Sequence, residues 1–512
     1  MGSITAHRDD LAPPATAADG MDAKLPRSAA AQAPRLHAKA SSPQPAATTK
    51  QTDWVERTAF WTLVLGLAWA PFWYGSNDLI AWGINAIVFP GLAAIYELSV
   101  LVRGRRHPVG IRNIAWPCVL FAVVVLWIFL QMASWSRGFP AHPVWAMAGE
   151  ALGLPLAGSI SVNRDLTMLA LVRLITVASA FWIALQLCRD AGNARRLIAA
   201  IAAIGCLYAG YGLIAFALQA GRLPWLEASS REGFVTATFV NHNSFATYAG
   251  LALMAMCGLV LREYRHRLLG TEGHRGLTIA ALIESTGQAG AALVAGGFVL
   301  VVAILLTGSR GGGIASAFGL FVLCFLTLAR PEKQAAKPLA PTLLALVLVA
   351  GATFAFGDVL IGTMAERGLD DSNRASVYLI TLRSIFDAPL TGFGYGTFAD
   401  VFPMYRDRSV SVQGAWQQAH DTYLEVFQGL GLVFGFMLVA AVVLLVLRCA
   451  RGAVTRQENA TVPRVAVGMA CLVGIHSLVD FSLQIQAVAL TFAAALGAGV
   501  AQSESSRLAL ED

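Results

Sequence analysis

The feature that most limits how this chain can fold is a succession of apolar segments, each about 17 to 25 residues long, that begins near Thr58. A helix of that length crosses the hydrocarbon layer of a bilayer, where backbone groups must hydrogen-bond within the helix itself. Apolar residues make up 56% of the chain and charged residues only 13%, which excludes an ordinary soluble protein. We count twelve spans: 58–75, 79–102, 114–133, 167–188, 197–219, 244–261, 289–307, 312–329, 339–360, 422–447, 465–482 and 486–503.

The sequence therefore predicts an all-α fold, a polytopic membrane helical bundle of about twelve transmembrane helices. A large loop, 361–421, separates the ninth helix from the tenth. One set of loops carries most of the basic residues, including Arg103, Arg189 and Arg448, and the positive-inside rule places it in the cytoplasm. Both termini then face the cytoplasm and the large loop faces outward. The predicted parts are a disordered cytoplasmic tail, 1–53, a membrane domain, 54–504, and a second cytoplasmic tail, 505–512.

Composition also limits the partners and cofactors that we expect. The seven cysteines stand singly in or beside apolar runs, without the paired spacing of a metal site or of a disulfide framework. We interpret them as packing residues. The net charge of +6 needs no nucleic-acid partner, because the basic cytoplasmic loops of a membrane protein account for it.

The large loop concentrates the polar chemistry, since 361–421 holds five arginines and seven acidic residues. It ends at His420, directly before the next apolar run. Histidine is the side chain that exchanges a proton near neutral pH, so a histidine at the mouth of a polar cleft is a candidate general base. Either Asp421 or Glu425 can orient it. The alternative is that His420 only caps the tenth span.

Arginines on the predicted outer side form a second group of candidates. Most of them fit headgroup contacts or local salt bridges, but two do not. Arg173 lies about two turns inside the fourth span, where an arginine costs up to about 2.5 to 3.5 kcal/mol and normally faces the bundle interior. Arg310 lies in a glycine-rich turn between two spans, beside helix-terminal amides that can bind an anion. Its guanidinium is a plausible clamp for a diphosphate.

Two further motifs have more than one interpretation. Gly392-x-Gly394-x-Gly396 has the spacing of a dinucleotide fingerprint, but no strand precedes it, so we expect a turn. His476 and Asp480 are four residues apart in the predicted eleventh span and would face the same side of it. Such a pair indicates a proton path, a substrate cavity or an internally satisfied structural pair.

These residues together resemble the O-antigen ligase and O-antigen polymerase superfamily of integral-membrane glycosyltransferases. The segment 233–248 is similar to the family's Gly/Phe-Asn-x-Asn segment, and Ser309-Arg310-Gly311-Gly312 to its Ser-Arg-Gly turn. The region from Asn373 to Gly435 is similar to its large periplasmic loop and the helix that follows. The chain departs from the family pattern at Asp421, where the family usually has asparagine, and at His242, where proline is common.

The resemblance implies transfer of a glycan from undecaprenyl diphosphate to an acceptor hydroxyl at the periplasmic face of the bacterial inner membrane. The acceptor would be another glycan or lipid A-core, membrane lipids would surround the site, and neither a metal nor another cofactor is expected. A polymerase, a ligase and a protein-acceptor transferase remain open. The predicted catalytic residues are His420 and Arg310, and the predicted substrate-binding residues are Arg231, Asn241, Asn243, Arg374, Arg383, Arg173 and Asp421.

A different class of function, a multi-pass transporter of a small anion or solute, stays open at this stage. The pair His476 and Asp480 favours it, because transporters place ionisable residues within their spans. The polar residues of the large loop and the lack of a clear inverted repeat argue against it.

Overall fold

The computed structural model describes residues 54–134, 141–218, 233–268, 287–328, 368–410, 415–456 and 459–504. Within these ranges the chain is helical and has no strand, which confirms the predicted all-α class. The helices are α1 (Trp54–Trp69), α2 (Leu79–Val102), α3 (Ala115–Met132), α4 (Val144–Leu152), α5 (Arg164–Leu187), α6 (Ala191–Ala217), α7 (His242–Leu268), α8 (Gln288–Leu306), α9 (Arg310–Leu328), α10 (Gly368–Asp387), α11 (Phe398–Tyr405), α12 (Thr422–Leu430), α13 (Leu432–Thr455), α14 (Thr461–His476) and α15 (Gln486–Ser503).

Nine of these helices in the described residues are long and apolar enough to cross a membrane, so the prediction of a polytopic membrane protein is confirmed. They are α2, α3, α5 to α9, α13 and α15, with α3 extended by the 3-10 turn Ile111–Ile114. Two other predicted spans correspond to α1 and α14, which are shorter at 16 residues each. The predicted ninth span, 339–360, and both predicted tails lie outside the described residues.

The tenth and eleventh spans differ from their predicted limits. The expected helix 422–447 is divided at Gly431 into the short α12 and the long α13, and only α13 has the length of a span. Gly431 has φ +79°, a left-handed conformation that glycine adopts readily and that ends α12. The expected helix 465–482 ends earlier, at His476, so Asp480 lies in the connection to α15 rather than on a helix.

The core of the bundle is formed around α15, whose residues from Gln486 to Gln502 are all buried. This helix is rich in alanine and glycine, and small residues let membrane helices approach closely. At Gly497 an added Cβ would lie 2.4 Å from the backbone oxygen of Phe181 on α5. Helices α5, α13, α14 and α7 pack around α15, and α9 packs against α14.

A smaller apolar cluster joins the helices of the large loop. Val377 and Ile380 of α10 pack with Phe398 and Phe402 of α11, and Ala419, the residue before His420, is buried among them. Helix α10 also packs against α12. The described part of the loop is therefore a packed layer on one end of the bundle.

The glycine triplet of 392–396 forms a tight turn in this layer, as we expected. All three glycines have positive φ, between +62° and +107°. Gln131, at the end of α3, is fully buried, and its side-chain amide donates 2.8 Å hydrogen bonds to the carbonyls of Thr391 and Gly429. The backbone N–H of Gly394 donates to the same Gly429 carbonyl at 3.1 Å. The turn thus joins α3 to α12, and the N–H groups of Gly392 and Gly394 bond to carbonyls within the protein.

We predict that Gly394→Ala destabilises the protein by about 1 to 3 kcal/mol. Gly394 has φ +107°, and an added Cβ would lie 2.4 Å from the Ser161 hydroxyl, so both the backbone and the packing oppose a side chain. The measurement is the melting temperature of the detergent-purified protein. Gly91→Ala is the control, because an added Cβ in the middle of α2 meets nothing within 4 Å. Equal melting temperatures for the two variants would contradict the assignment.

Candidate functional site

His420 lies directly before α12, with its ring between two aromatic side chains. The ring centroids of Phe481 and Trp416 are 4.9 Å and 5.7 Å from that of His420, both edge-on, and the His420 side chain remains 20% exposed. Its φ is +58°, which costs a residue other than glycine about 1 to 2 kcal/mol. The Tyr378 hydroxyl of α10 donates to the His420 carbonyl at 3.0 Å. Surrounding contacts thus hold the histidine in an unfavourable backbone conformation.

The carboxylate nearest to the His420 ring belongs to Asp480. Oδ1 of Asp480 is 3.8 Å from Nδ1 of His420, and the Asp480 side chain is only 1% exposed. Its other oxygen accepts a hydrogen bond from the Ser482 hydroxyl. Burial raises the pKa of the Asp480 carboxyl, but His420, His476 and Ser482 together hold that pKa below its usual value. Asp480 is therefore a carboxylate, placed where it attracts a protonated His420.

A chain of hydrogen bonds continues from Asp480 into the bundle. The Thr247 hydroxyl of α7 lies 2.6 Å from Nδ1 of His476 and 2.9 Å from the Ser482 hydroxyl. All three side chains are buried. The predicted pair of His476 and Asp480 is therefore part of one polar network that reaches His420, but the two residues do not share a helix face.

Arg310 is the first residue of α9 and lies at the same end of the bundle as this network. An added Cβ at Gly311 would lie 3.0 Å from the His476 ring, so the beginning of α9 packs directly on it. Ser309 caps the helix: its hydroxyl accepts from the Gly312 N–H at 3.1 Å and its carbonyl from Gly313 at 2.9 Å. Our expectation that the amides of this turn are free for an anion is therefore wrong for Gly312 and Gly313. The guanidinium of Arg310 remains the candidate anion ligand in this turn.

The asparagine segment lies beside the Arg310 turn. The side-chain oxygen of Asn241 accepts from the backbone N–H of Asn243 at 2.7 Å, so Asn241 caps α7, and Asn243 is buried in the first turn. Nδ1 of His242 lies 2.9 Å from the Thr307 carbonyl, which joins this helix start to the turn before Arg310. The structure thus brings the asparagines close to the Arg310 turn and gives Asn241 a capping role.

The other predicted arginines lie in different surroundings. Arg374, near the beginning of α10, is within electrostatic range of His476, which places it by the same network. Arg383 is within electrostatic range of Tyr405 and Asp407. Arg231 lies outside the described residues.

Arg173, which we predicted to bind substrate, is engaged with protein groups on α2 and on the connection before α15. Its guanidinium lies over the Trp82 ring, 4.2 Å from the centroid, and donates a hydrogen bond to the Gln484 carbonyl. Arg173 therefore faces the bundle interior, as its position within a span indicated. Its observed partners are an aromatic ring and a backbone carbonyl.

Neither acidic residue that we expected to orient His420 contacts the ring in the structure. Asp421 caps α12, and its side chain accepts from the N–H groups of Tyr423 and Leu424 at 2.8 and 3.0 Å. His420 therefore does not have the capping role that was its alternative interpretation. Glu425 accepts from the backbone N–H of Ala419 and from the Gln484 side chain. Sequence reasoning missed the partnership of His420 with Asp480, because the 59 residues between them carry no local signal of contact.

This arrangement has the parts of a proton-transfer site next to cationic side chains. Asp480 faces Nδ1 of His420, which favours the tautomer with a proton on Nδ1 and leaves Nε2 able to accept one. Arg310 begins the helix whose first turn packs on His476, and Arg374 is within electrostatic range of that ring, so both arginines belong to the same end of the bundle. A group with a labile proton and an anionic group can be bound side by side at this end of the bundle.

A family model matches the part of the chain that contains several of these residues. Residues 295–440 match the family model described as O-antigen ligase, and the matched range includes Arg310, Arg374 and His420. Among curated proteins, none has a significant match to the chain. The apolar helices together with this match indicate a bacterial integral membrane protein. The match confirms the resemblance drawn from the sequence, and the chain carries an O-antigen ligase domain of the O-antigen ligase and O-antigen polymerase superfamily.

Proposed function

We propose that this protein transfers a glycan from an undecaprenyl-diphosphate carrier to an acceptor hydroxyl, as a ligase or a polymerase in O-antigen or exopolysaccharide assembly. The observation that carries the proposal is the 3.8 Å approach of His420 to Asp480 at the end of the bundle where α9 begins with Arg310. The O-antigen ligase match supports membrane glycan transfer in general. The donor, the acceptor and the residue roles are our proposal.

In the proposed reaction His420 is the general base. Nε2 removes the proton of the acceptor hydroxyl while that oxygen forms a bond to the anomeric carbon of the donor glycan. The bond from that carbon to the diphosphate oxygen breaks, and its electron pair leaves with the carrier. Asp480 stabilises the imidazolium that forms, since an opposite charge favours the protonated state.

Arg310 is the proposed main contact of the leaving diphosphate. Negative charge grows on the departing oxygen, and a guanidinium placed there lowers the barrier more than it stabilises bound substrate. Arg374 would assist from α10, because it lies near the same histidine network. Cationic side chains supply this neutralisation without a metal, and we propose a metal-independent reaction on that ground.

We further propose that the site faces the periplasm. The site lies at the beginning of α9, the beginning of α12 and the end of α14. The arginine-rich ends of the spans, such as the end of α13 with Arg448 and Arg451, are distant from it in sequence. The positive-inside rule then places those basic termini in the cytoplasm and the site outside.

The transporter hypothesis loses the observation that favoured it. Asp480 lies beyond the end of α14, and His476 is the last residue of that helix, so the two do not form an ionisable pair in the middle of a span. Both side chains are engaged in the network that leads to His420. The glycan-transfer function therefore explains the same residues with no additional site.

We expect His420→Ala to lower transfer by about 100-fold or more, because general-base catalysis contributes that much. Asp480→Asn should also lower it, by about ten-fold or more, because it removes the charge that favours the imidazolium. The measurement is the initial rate of glycan transfer in membranes, normalised to folded protein. His107→Gln is the control: His107 contacts Glu97, in a pair separate from this network. Near-normal transfer by His420→Ala would remove its proposed role.

Arg310→Ala should lower the rate at saturating donor by about 100- to 1,000-fold. Arg310→Lys should recover only part of it, since an ammonium cannot grip a diphosphate through two parallel hydrogen bonds. Thermal melting of both variants checks the fold, because Arg310 begins α9. Full activity of Arg310→Ala would show that other cationic side chains bind the diphosphate.

The glycan-length profile of a deletion strain separates the two forms of the proposed function. We expect the strain to accumulate glycan on the lipid carrier in either case. Loss of a polymerase leaves single repeat units at the cell surface, whereas loss of a ligase leaves full-length chains stranded on the carrier. Unchanged glycans with altered solute uptake would contradict the proposal and restore the transporter hypothesis.

A further inference from the structure

Glu425 connects the two chain segments that carry His420 and Asp480. One carboxylate oxygen accepts a 2.5 Å hydrogen bond from the backbone N–H of Ala419, the residue directly before His420. The other accepts a 2.6 Å hydrogen bond from the side-chain amide of Gln484, in the 3-10 turn Ser482–Gln484 that follows Asp480. A single side chain of α12 thus bridges the approaches to both residues.

Arg173 also contacts this turn. Its guanidinium donates to the Gln484 carbonyl, lies over the Trp82 ring and is within electrostatic range of Glu425. Glu425 therefore binds the side chain of Gln484, and Arg173 binds its backbone carbonyl. Burial raises the pKa of the Glu425 carboxyl to about 8, and the nearby Arg173 guanidinium offsets part of that rise.

Other contacts of α12 complete this connection. The Thr422 hydroxyl donates to the Asp480 carbonyl at 3.0 Å, and the Thr422 N–H donates to the Ser477 carbonyl at 2.8 Å. His420 has a left-handed backbone, so the position of its ring depends on how firmly the residues on either side are held. Tyr378 holds the carbonyl of His420, and Glu425 holds the amide directly before it.

We propose that Glu425 is a positioning residue that, together with Arg173, sets the distance between His420 and Asp480. This inference rests on the proposed function, because it concerns the same base and carboxylate. Glu425 acts through the backbone of His420 and through the turn after Asp480, and it does not contact the reacting atoms. Arg173 accordingly stabilises the turn that follows Asp480 and is not a substrate ligand.

The test uses the full-length protein in liposomes and, as donor, the lipid-linked glycan extracted from a strain that lacks this protein. Glu425→Ala should lower kcat about ten- to a hundred-fold while KM for the donor stays within about two-fold, because a misplaced base slows the reaction without weakening binding. Glu425→Gln should restore most of the loss, since its amide oxygen still accepts from Ala419. A lower kcat with a normal KM and rescue by glutamine supports positioning.

Gln428→Ala is the matched control. Gln428 lies on the same helix and donates a 2.7 Å hydrogen bond to Ser384, so its loss weakens α12 without touching the segments of His420 or Asp480. We expect a lower melting temperature and a kcat within about two-fold of the wild type. If Gln428→Ala and Glu425→Ala lowered kcat equally, Glu425 would have only a general role in stability and the proposal would fail.

Coupling to Asp480 gives an independent measurement. If Glu425 acts by placing His420 against Asp480, the double variant Glu425→Ala and Asp480→Ala should be no slower than Asp480→Ala alone. If the rate losses of the two single variants multiply in the double variant, the proposal is wrong. His420→Ala, measured in the same assay, separates the two hypotheses: normal activity there contradicts the proposed function, whereas an inactive His420→Ala with a normal Glu425→Ala contradicts only this inference.

Discussion

The close contact of α15 with its neighbours is the constraint on which the rest of the structure depends. Its alanine and glycine residues let α5 approach to backbone contact at Gly497, and the helix is buried along its length. Because α15 is buried and closely packed, the connection from α14 that leads into it is anchored at one end. That connection carries Asp480 and the turn around Gln484. The site therefore takes its precision from tight helix packing below it.

Polar groups at this end of the bundle illustrate a second requirement, since each buried donor or acceptor needs a partner where water is scarce. Thr247, His476 and Ser482 satisfy one another, and Gln131 satisfies the carbonyls of the glycine turn. The Nδ1 atom of His420 and the Oδ1 atom of Asp480 have no hydrogen bond and face each other across 3.8 Å. In many enzymes such a pair shortens when substrate binds.

Long apolar runs predicted most helices well, because a span in lipid depends on its own hydrogen bonds and length. The limits of α2 agree with prediction, and those of α8 differ by one residue at each end. The break at Gly431 and the early end of α14 were not predictable, because both continue in apolar sequence and depend on tertiary contacts, such as that of Gly394 with Gly429. Local reasoning likewise identified His420 as a candidate site residue but assigned its partner to adjacent acidic residues. The observed partner comes from a later loop.

The position of Asp480 has a consequence for which part of this chain can be exchanged as one piece. The O-antigen ligase match ends at residue 440, whereas Asp480, Ser482 and the helix pair α14 and α15 lie beyond it. Exchange of the matched segment alone would therefore separate His420 from the Asp480 side chain that lies 3.8 Å from it in this protein. The contact between His420 and Asp480 thus joins the matched segment to the helix pair that follows it.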